Sequence, residues 1–394
     1  MTFVHPFSPA GRADPYPGYR WLQQRAPVFH DPTTRMWLVT SHAGCTAVLK
    51  DPRFSAALGQ QQRTRDDALP PSMLNTDPPE HNRLRAPGVV LLGPAAVRSI
   101  ASDVAADIAS VVAGLGGAVD AMRDVGAPVS TAVFARLFGL RAADRDPFTA
   151  LAHRASVNLD PLVDPGQAAE GRRAMAELSA FLDRHVDGAL DSPLTRLMND
   201  GRLTRAETLG ILNLTVVGGW QPLAELVGNA LYWLLPRPDA LARLRAADET
   251  LARTAVDELL RLEAPIPFTA RVTTAPVDLD GVTVPAGARV LAIIAAANRD
   301  PAVFAAADDL RLDRSPNPHL AFGGGGHFCL GAALVRSVGA LLLPALLRAF
   351  PHLRGLLDDP TWETSLVPRR LRELPIALDG VLDGVLDGGL RHAG

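Results

Sequence analysis

Between Thr204 and Leu235 the chain carries only one charged residue after its first turn, Glu225, and this stretch constrains the fold more than any other. Thr204 and Glu207 form a T-x-x-E capping box, apolar residues then follow almost without pause, and Pro236 ends them. About 30 residues at 1.5 Å each make a rod of roughly 45 Å, long enough to cross a whole domain. A helix that is apolar on all sides must be buried. A membrane span is the rival reading, but Asn213, Gln221, Pro222, Glu225 and Asn229 interrupt the run in a way lipid tolerates poorly.

The rest of the chain has to wrap that rod. Residues 97–260 show mostly helical periodicity, whereas 27–40 read as two short strands around the turn signal DPTT. Residues 270–294 return to strand, with a hairpin signal at Asp280-Gly281. The segment PRRLRELPIAL predicts a further small hairpin strand, and the VLDG-repeating end predicts a frayed tail. The expected class is mainly α with small β-sheets at one side. Residues 1–378 form one compact domain in this reading, and 379–394 a flexible tail. A chain of 394 residues can bury a large core and a cofactor. Its formal net charge of −3 gives no bias toward nucleic acid or an anionic membrane. Two distant cysteines, Cys45 and Cys329, make neither a disulfide framework nor a zinc finger. With no apolar leader in the first residues, a cytoplasmic protein is expected. Cys45, in an apolar run, reads as a small core residue.

The segment Phe322-Gly-Gly-Gly-Gly-His-Phe-Cys-Leu-Gly331 precedes an apolar helix starting near Ala332. Its glycines allow the backbone to approach something large and flat. Cys329 then stands near a helix N-terminus, where the dipole and free N–H groups favour thiolate, the form that ligates metal. A glycine loop beside a buried cysteine is the plain alternative. A phosphate loop is excluded in its usual form because no G-K-[ST] follows, and zinc would need more ligands than His327 and Cys329.

This segment matches F-G-x-G-x-H-x-C-x-G, the haem-binding signature of the cytochrome P-450 family, at Phe322, Gly323, Gly325, His327, Cys329 and Gly331. Glu258-Leu-Leu-Arg261 resembles the family's E-x-x-R helix some seventy residues upstream. Arg271, NRDP at 298–301 and LRLDR ending at Arg314 follow in the family's order, and Asp77-Pro-Pro-Glu-His81-Asn-Arg-Leu-Arg85 resembles its D-P-x-x-H-x-x-L-R segment.

The resemblance implies a haem-thiolate oxidoreductase of the monooxygenase type, with one haem b. Cys329 is implied as the iron ligand, whose electron donation helps split the O–O bond of dioxygen. It implies that His81, Arg85, Arg271 and His327 hold the haem propionates by charge-assisted hydrogen bonds. A solvated helix face is the alternative for His81 and Arg85. Phe322 and Gly331 are implied to lie against the ligand loop, and Glu258, Arg261 and Arg314 to form a structural network behind it. The substrate pocket is implied to be lined by the loop around 56–76, acting as a gate, by Val217, and by Ile266 and Phe268, which serve equally well as core. Electrons would come from a separate ferredoxin or flavodoxin-like carrier.

One departure stands out. Where the family's long helix carries an A/G-G-x-[D/E]-T stretch over the haem, this chain has Gly218-Gly219-Trp220-Gln221-Pro222. Glutamine can orient water but cannot titrate, and proline offers neither hydroxyl nor N–H. Proline at 222 also collides with the Gly218 carbonyl and is expected to open the helix there. Gly218, Gly219 and Gln221 are the catalytic candidates. Three functions remain open. The chain is a monooxygenase using water or substrate hydroxyls for its protons, with a tailoring step on a natural product favoured. Alternatively it is a haem-thiolate enzyme of altered chemistry, such as peroxide-driven oxidation, oxidative cyclisation or coupling, or redox-neutral dehydration or rearrangement. As a lesser reading it is a non-catalytic binding partner.

Overall fold

The structure is a computed structural model that describes residues 3–58, 72–159 and 165–378. The expected tail, 379–394, lies outside the described residues, as do residues 59–71 of the expected gate.

The long helix spans Arg205–Leu234, capped as its sequence requires: the Thr204 side chain accepts from the Glu207 N–H, and Glu207 reaches back to the N–H of Thr204. Most of its residues from Thr208 to Leu234 are buried. It runs through Pro222 as one continuous helix, so the expected opening amounts at most to the single ladder bond that proline cannot make. Helices Ala127–Phe138, Ala142–Ala155 and Pro165–Val186 pack on it, as does a short π-helical turn at Ala121–Gly126. That turn comes so close that a Cβ on Gly126 would stand 2.2 Å from the Ala224 carbonyl oxygen, and only glycine fits. Behind the rod, helix Glu249–Leu262 packs against helix Ala332–Ala349.

Two stretches, Glu80–Ala113 and Ala332–Ala349, are long and apolar enough to cross a membrane. The second packs on helices Glu249–Leu262 and Pro94–Ala113, so its apolar face belongs to the core.

The sheets are small. Strands Val28–Asp31 and Met36–Val39 form the expected antiparallel pair. Arg289–Ala292 joins parallel to the second of them, Thr269–Thr273 follows antiparallel, and Phe54–Ser55 closes the edge. Val277–Leu279 and Val282–Val284 form the hairpin, with Asp280 and Gly281 both at positive φ, 48° and 79°. Pro375–Ala377 is a strand as expected, but it lies between Ala118–Asp120 and Arg354–Gly355 in a three-stranded sheet. Partners that distant cannot be read from local pattern. Cys45 is fully buried, its Sγ 3.1 Å from the Val39 carbonyl oxygen.

Candidate active site

The glycine segment folds as a tight loop because two of its residues take left-handed backbone, Gly323 at φ 69° and Gly325 at φ 63°. At Gly325 a Cβ would also stand 2.4 Å from the Leu49 carbonyl oxygen. The loop is pinned at its end by the Cys329 N–H, which donates to the Phe322 carbonyl at 2.8 Å. Helix Ala332–Ala349 starts just beyond, with Gly331 as its cap. Cys329 opens to the surface. Surrounding protein still pushes its thiol above the ordinary range, against the pull of the Gly331 and Ala332 N–H groups and of the Arg85 and Arg336 charges. Phe322 is buried beside it, with the Arg336 guanidinium 4.6 Å above its ring. Arg336 is itself anchored to Asp257, which also meets His319.

Two histidines and two arginines converge on the same loop. His81, on helix Glu80–Leu92, is 1% exposed, and its ring lies 4.3 Å from that of His327. Arg85, one turn on, donates to the Phe328 carbonyl at 2.6 Å. Arg271 is buried on its strand, donating to the Thr269 hydroxyl and the Ala270 carbonyl. Burial, together with the neighbouring Arg271 and His81, pushes His327 down to about 4. Burial likewise lowers Arg271, which only Asp77 opposes. Among the described residues, the buried His81 Nε2 has no hydrogen-bond partner. A cluster of donors, two of them buried and two half-buried, with so little negative charge suits an anionic group with several acceptor oxygens. A thiol beside it suits iron. The donor set therefore fits a haem with two carboxylates.

Behind the loop, Glu258 and Arg261 are both fully buried and joined by two bonds of 2.7 and 2.8 Å. The Arg314 Nε–H is shared between both carboxylate oxygens at 3.0 Å, the Arg311 N–H adds a bond at 3.0 Å, and Asn317 one at 3.3 Å. Arg261 reaches the carbonyls of Asn298, Ala307 and Asp309, so the helix is tied to the chain that leads into the loop. The Asn298 side chain completes the link by accepting from the Leu320 N–H at 2.6 Å. Asn298 lies in the NRDP run, and its role is visible only in three dimensions.

On the long helix, Gly218 is exposed and Gly219 partly so, while Val217 is buried. A Cβ on Gly218 would meet only Leu214, at 3.9 Å, whereas one on Gly219 would press on the Phe134 ring at 3.0 Å, so the open space lies at Gly218 alone. Gln221 is buried, its Oε1 3.3 Å from His153 Nδ1, and its Nε2 donates to Glu225. Phe268 packs 5.6 Å from Phe7 in an apolar cluster with Leu38 and Leu291, which Ile266 borders. His153 and Glu225 were not singled out by the sequence as site residues. The signal for Glu225 was its isolation as the only charge in the apolar run.

A family model described as Cytochrome P450 matches residues 172–359. The chain is 36% identical to the cytochrome P450 monooxygenase PikC of Streptomyces venezuelae, over 92% of this chain and 91% of that protein. Its fold superposes on that of CalO2 with a TM-score of 0.87 at 29% identity, covering 96% of this chain and 99% of the other. CxnD, a cytochrome P450 for C–S bond formation in chuangxinmycin biosynthesis, gives 0.82 at 28% identity, with 92% and 94% covered. The chain belongs to the cytochrome P450 family, as a haem-dependent oxidoreductase of the monooxygenase class.

Proposed function

We propose that this enzyme carries out a tailoring oxidation on a small natural product, and that its proton supply does not use an acid–alcohol pair at positions 221 and 222. The observation carrying this reading is the helix itself: Gln221 is committed to His153 and Glu225, and Pro222 has no hydroxyl. PikC, a monooxygenase, and CxnD, which serves a biosynthesis, support the tailoring role.

When bound, haem supplies a thiolate-ligated iron at which dioxygen is activated with electrons from outside the chain. Cys329 gives the sulfur, and the Phe322 carbonyl holds its backbone in place. His81, Arg85, Arg271 and His327 bind the propionates and offset the cost of burying them. Phe322 and Gly331 flank the ligand, and Glu258, Arg261 and Arg314 fix the chain behind it. Gly218 leaves room beside the helix for a substrate, Val217 borders that space, and Gly219 lets the helix close on Phe134. Phe268 and Ile266 serve the apolar cluster they pack in. A separate ferredoxin or flavodoxin-like carrier delivers electrons in the cytoplasm, a setting that suits two free cysteines.

A second reading, oxidation driven by hydrogen peroxide, is favoured by the missing hydroxyl at 222, since a peroxide already carries the protons that dioxygen must acquire. The test compares wild type with Gln221→Glu/Pro222→Thr on the first substrate that turns over. Reductant consumed, peroxide released and product formed are measured, with a parallel arm supplied with hydrogen peroxide alone. Unchanged or poorer coupling in the double variant supports an adapted mechanism, whereas a large rise in coupling refutes it. Product from the peroxide arm at a rate matching the reductant arm selects the second reading.

A further inference from the structure

The long helix does hold an acid, one turn beyond Gln221. Glu225 is 2% exposed; its Oε1 accepts from Gln221 Nε2 and lies 3.7 Å from Arg370 Nη1. Its Oε2 is buried with no partner among the described residues. Gln221 in turn faces His153 across 3.3 Å. Both His153 and Arg370 line a surface cleft of about 540 Å³ that also includes Ser156, Gln167, Thr364 and Ser365. Residues three, four and seven apart share a helix face, so Gly218, Gln221 and Glu225 lie along one stripe. Gln221 and Glu225 are thus joined to two side chains of the cleft, His153 and Arg370, and sit one and two turns along the helix face that carries Gly218.

We propose that Glu225 relays protons between the cleft at His153 and Arg370 and the open face of the long helix, with Gln221 positioning it. This rests on the function proposed above and supplies the proton source that reading requires. Gln221 donates its amide N–H to Oε1, which leaves Oε2 to carry the proton. Gln221 Oε1 is an acceptor, so His153 presents Nδ1–H to it and turns Nε2 into the ring's acceptor. Each cycle takes one proton from cleft water on to Oε2 and releases one to water at the open face, returning Glu225 to its starting state.

The surroundings suit a carboxyl that exchanges protons near neutrality. Burial pushes Glu225 up to about 7, with Arg370 and the Gln221 hydrogen bond pulling down and Asp120 adding to the rise. The groups facing it are Arg370 from the 363–370 loop, Asp120 from strand Ala118–Asp120, and His153 from helix Ala142–Ala155. Burial and Arg370 pull His153 below the usual imidazole range, against the hydrogen bond to Gln221. On the neighbouring π-helical turn, Arg123 pairs with Asp124 and points to solvent.

Holoenzymes of wild type, Glu225→Gln, Glu225→Asp and His153→Phe are compared from about pH 5 to about pH 9, spanning the range in which such a carboxyl titrates. Infrared difference spectra should show a protonated-carboxyl band in wild type that disappears near neutrality, persists in Glu225→Asp and is lost in Glu225→Gln. Substrate-free oxidation of NADPH, through a surrogate ferredoxin and its reductase, should fall above that midpoint in wild type. In Glu225→Gln it should be slower by roughly tenfold or more and lose the pH dependence. Glu225→Asp should restore the dependence, and His153→Phe should slow turnover while keeping the infrared band. A band that survives Glu225→Gln, or rates and pH profiles unchanged in both Glu225→Gln and His153→Phe, would overturn the relay. An intact reduced carbon-monoxide spectrum in those variants places such a failure in the relay and leaves the haem site standing.

Discussion

His81 and His327 stand ring to ring at 4.3 Å, from segments almost 250 residues apart, and the His81 Nε2 is buried without a partner among the described residues. Left alone, such an arrangement costs free energy, since neither ring satisfies the other and His327 also faces the Arg271 charge. Carboxylates placed between them would satisfy all three groups.

His81→Phe and His327→Phe should therefore loosen haem without unfolding the chain. One charge-assisted hydrogen bond is worth about 1.5–3 kcal/mol, so each should speed haem transfer to apomyoglobin by roughly ten- to a hundredfold. Transfer at the wild-type rate in both variants would remove these residues from the propionate site.

Glu258→Ala and Arg261→Ala should fail at an earlier stage, by yielding little folded holoprotein. Removing one partner of a buried pair typically costs about 3–5 kcal/mol, a large share of a domain's stability. Glu258→Ala leaves Arg261, Arg314 and Asn317 without their acceptor, and Arg261→Ala leaves three carbonyls without its guanidinium. Soluble expression and haem-to-protein ratio check this; normal haem content with impaired turnover alone would contradict it.

Local patterns carried the parts of the fold whose causes are local. The Thr204–Glu207 capping box, the Asp280-Gly281 hairpin and the DPTT turn each contain their own instructions, and each element formed where its residues predict. The placement of Pro375–Ala377 between two distant strands depends on tertiary contacts that no local spacing encodes. The same division holds at the site. The ligand loop is legible because glycines at positive φ and a cysteine leave a fixed spacing. The network around Gln221 is not, because His153 and Arg370 reach it from segments 68 residues before and 149 residues after. Glu225 stood in plain sight as the lone charge in an apolar helix, but its meaning came only with its partners.

Glu225 should also leave a mark on stability. Its carboxyl titrates near 7 in the folded chain against an ordinary 4.5. Between those values the folded state holds a proton that the unfolded state has released, so this group's contribution falls as pH rises through the window and is fully lost above about 7. The loss amounts to about 3 kcal/mol. Denaturant midpoints should decline over this range more steeply in wild type than in Glu225→Gln; parallel profiles would place the carboxyl at its ordinary value.

The reduced carbon-monoxide spectrum of purified wild type and Cys329→Ala bears most directly on the account. Thiolate ligation from Cys329 predicts a far-red-shifted Soret band in wild type that is absent from the variant, even where the variant retains haem. A variant that keeps the shifted band would show that another group ligates the iron.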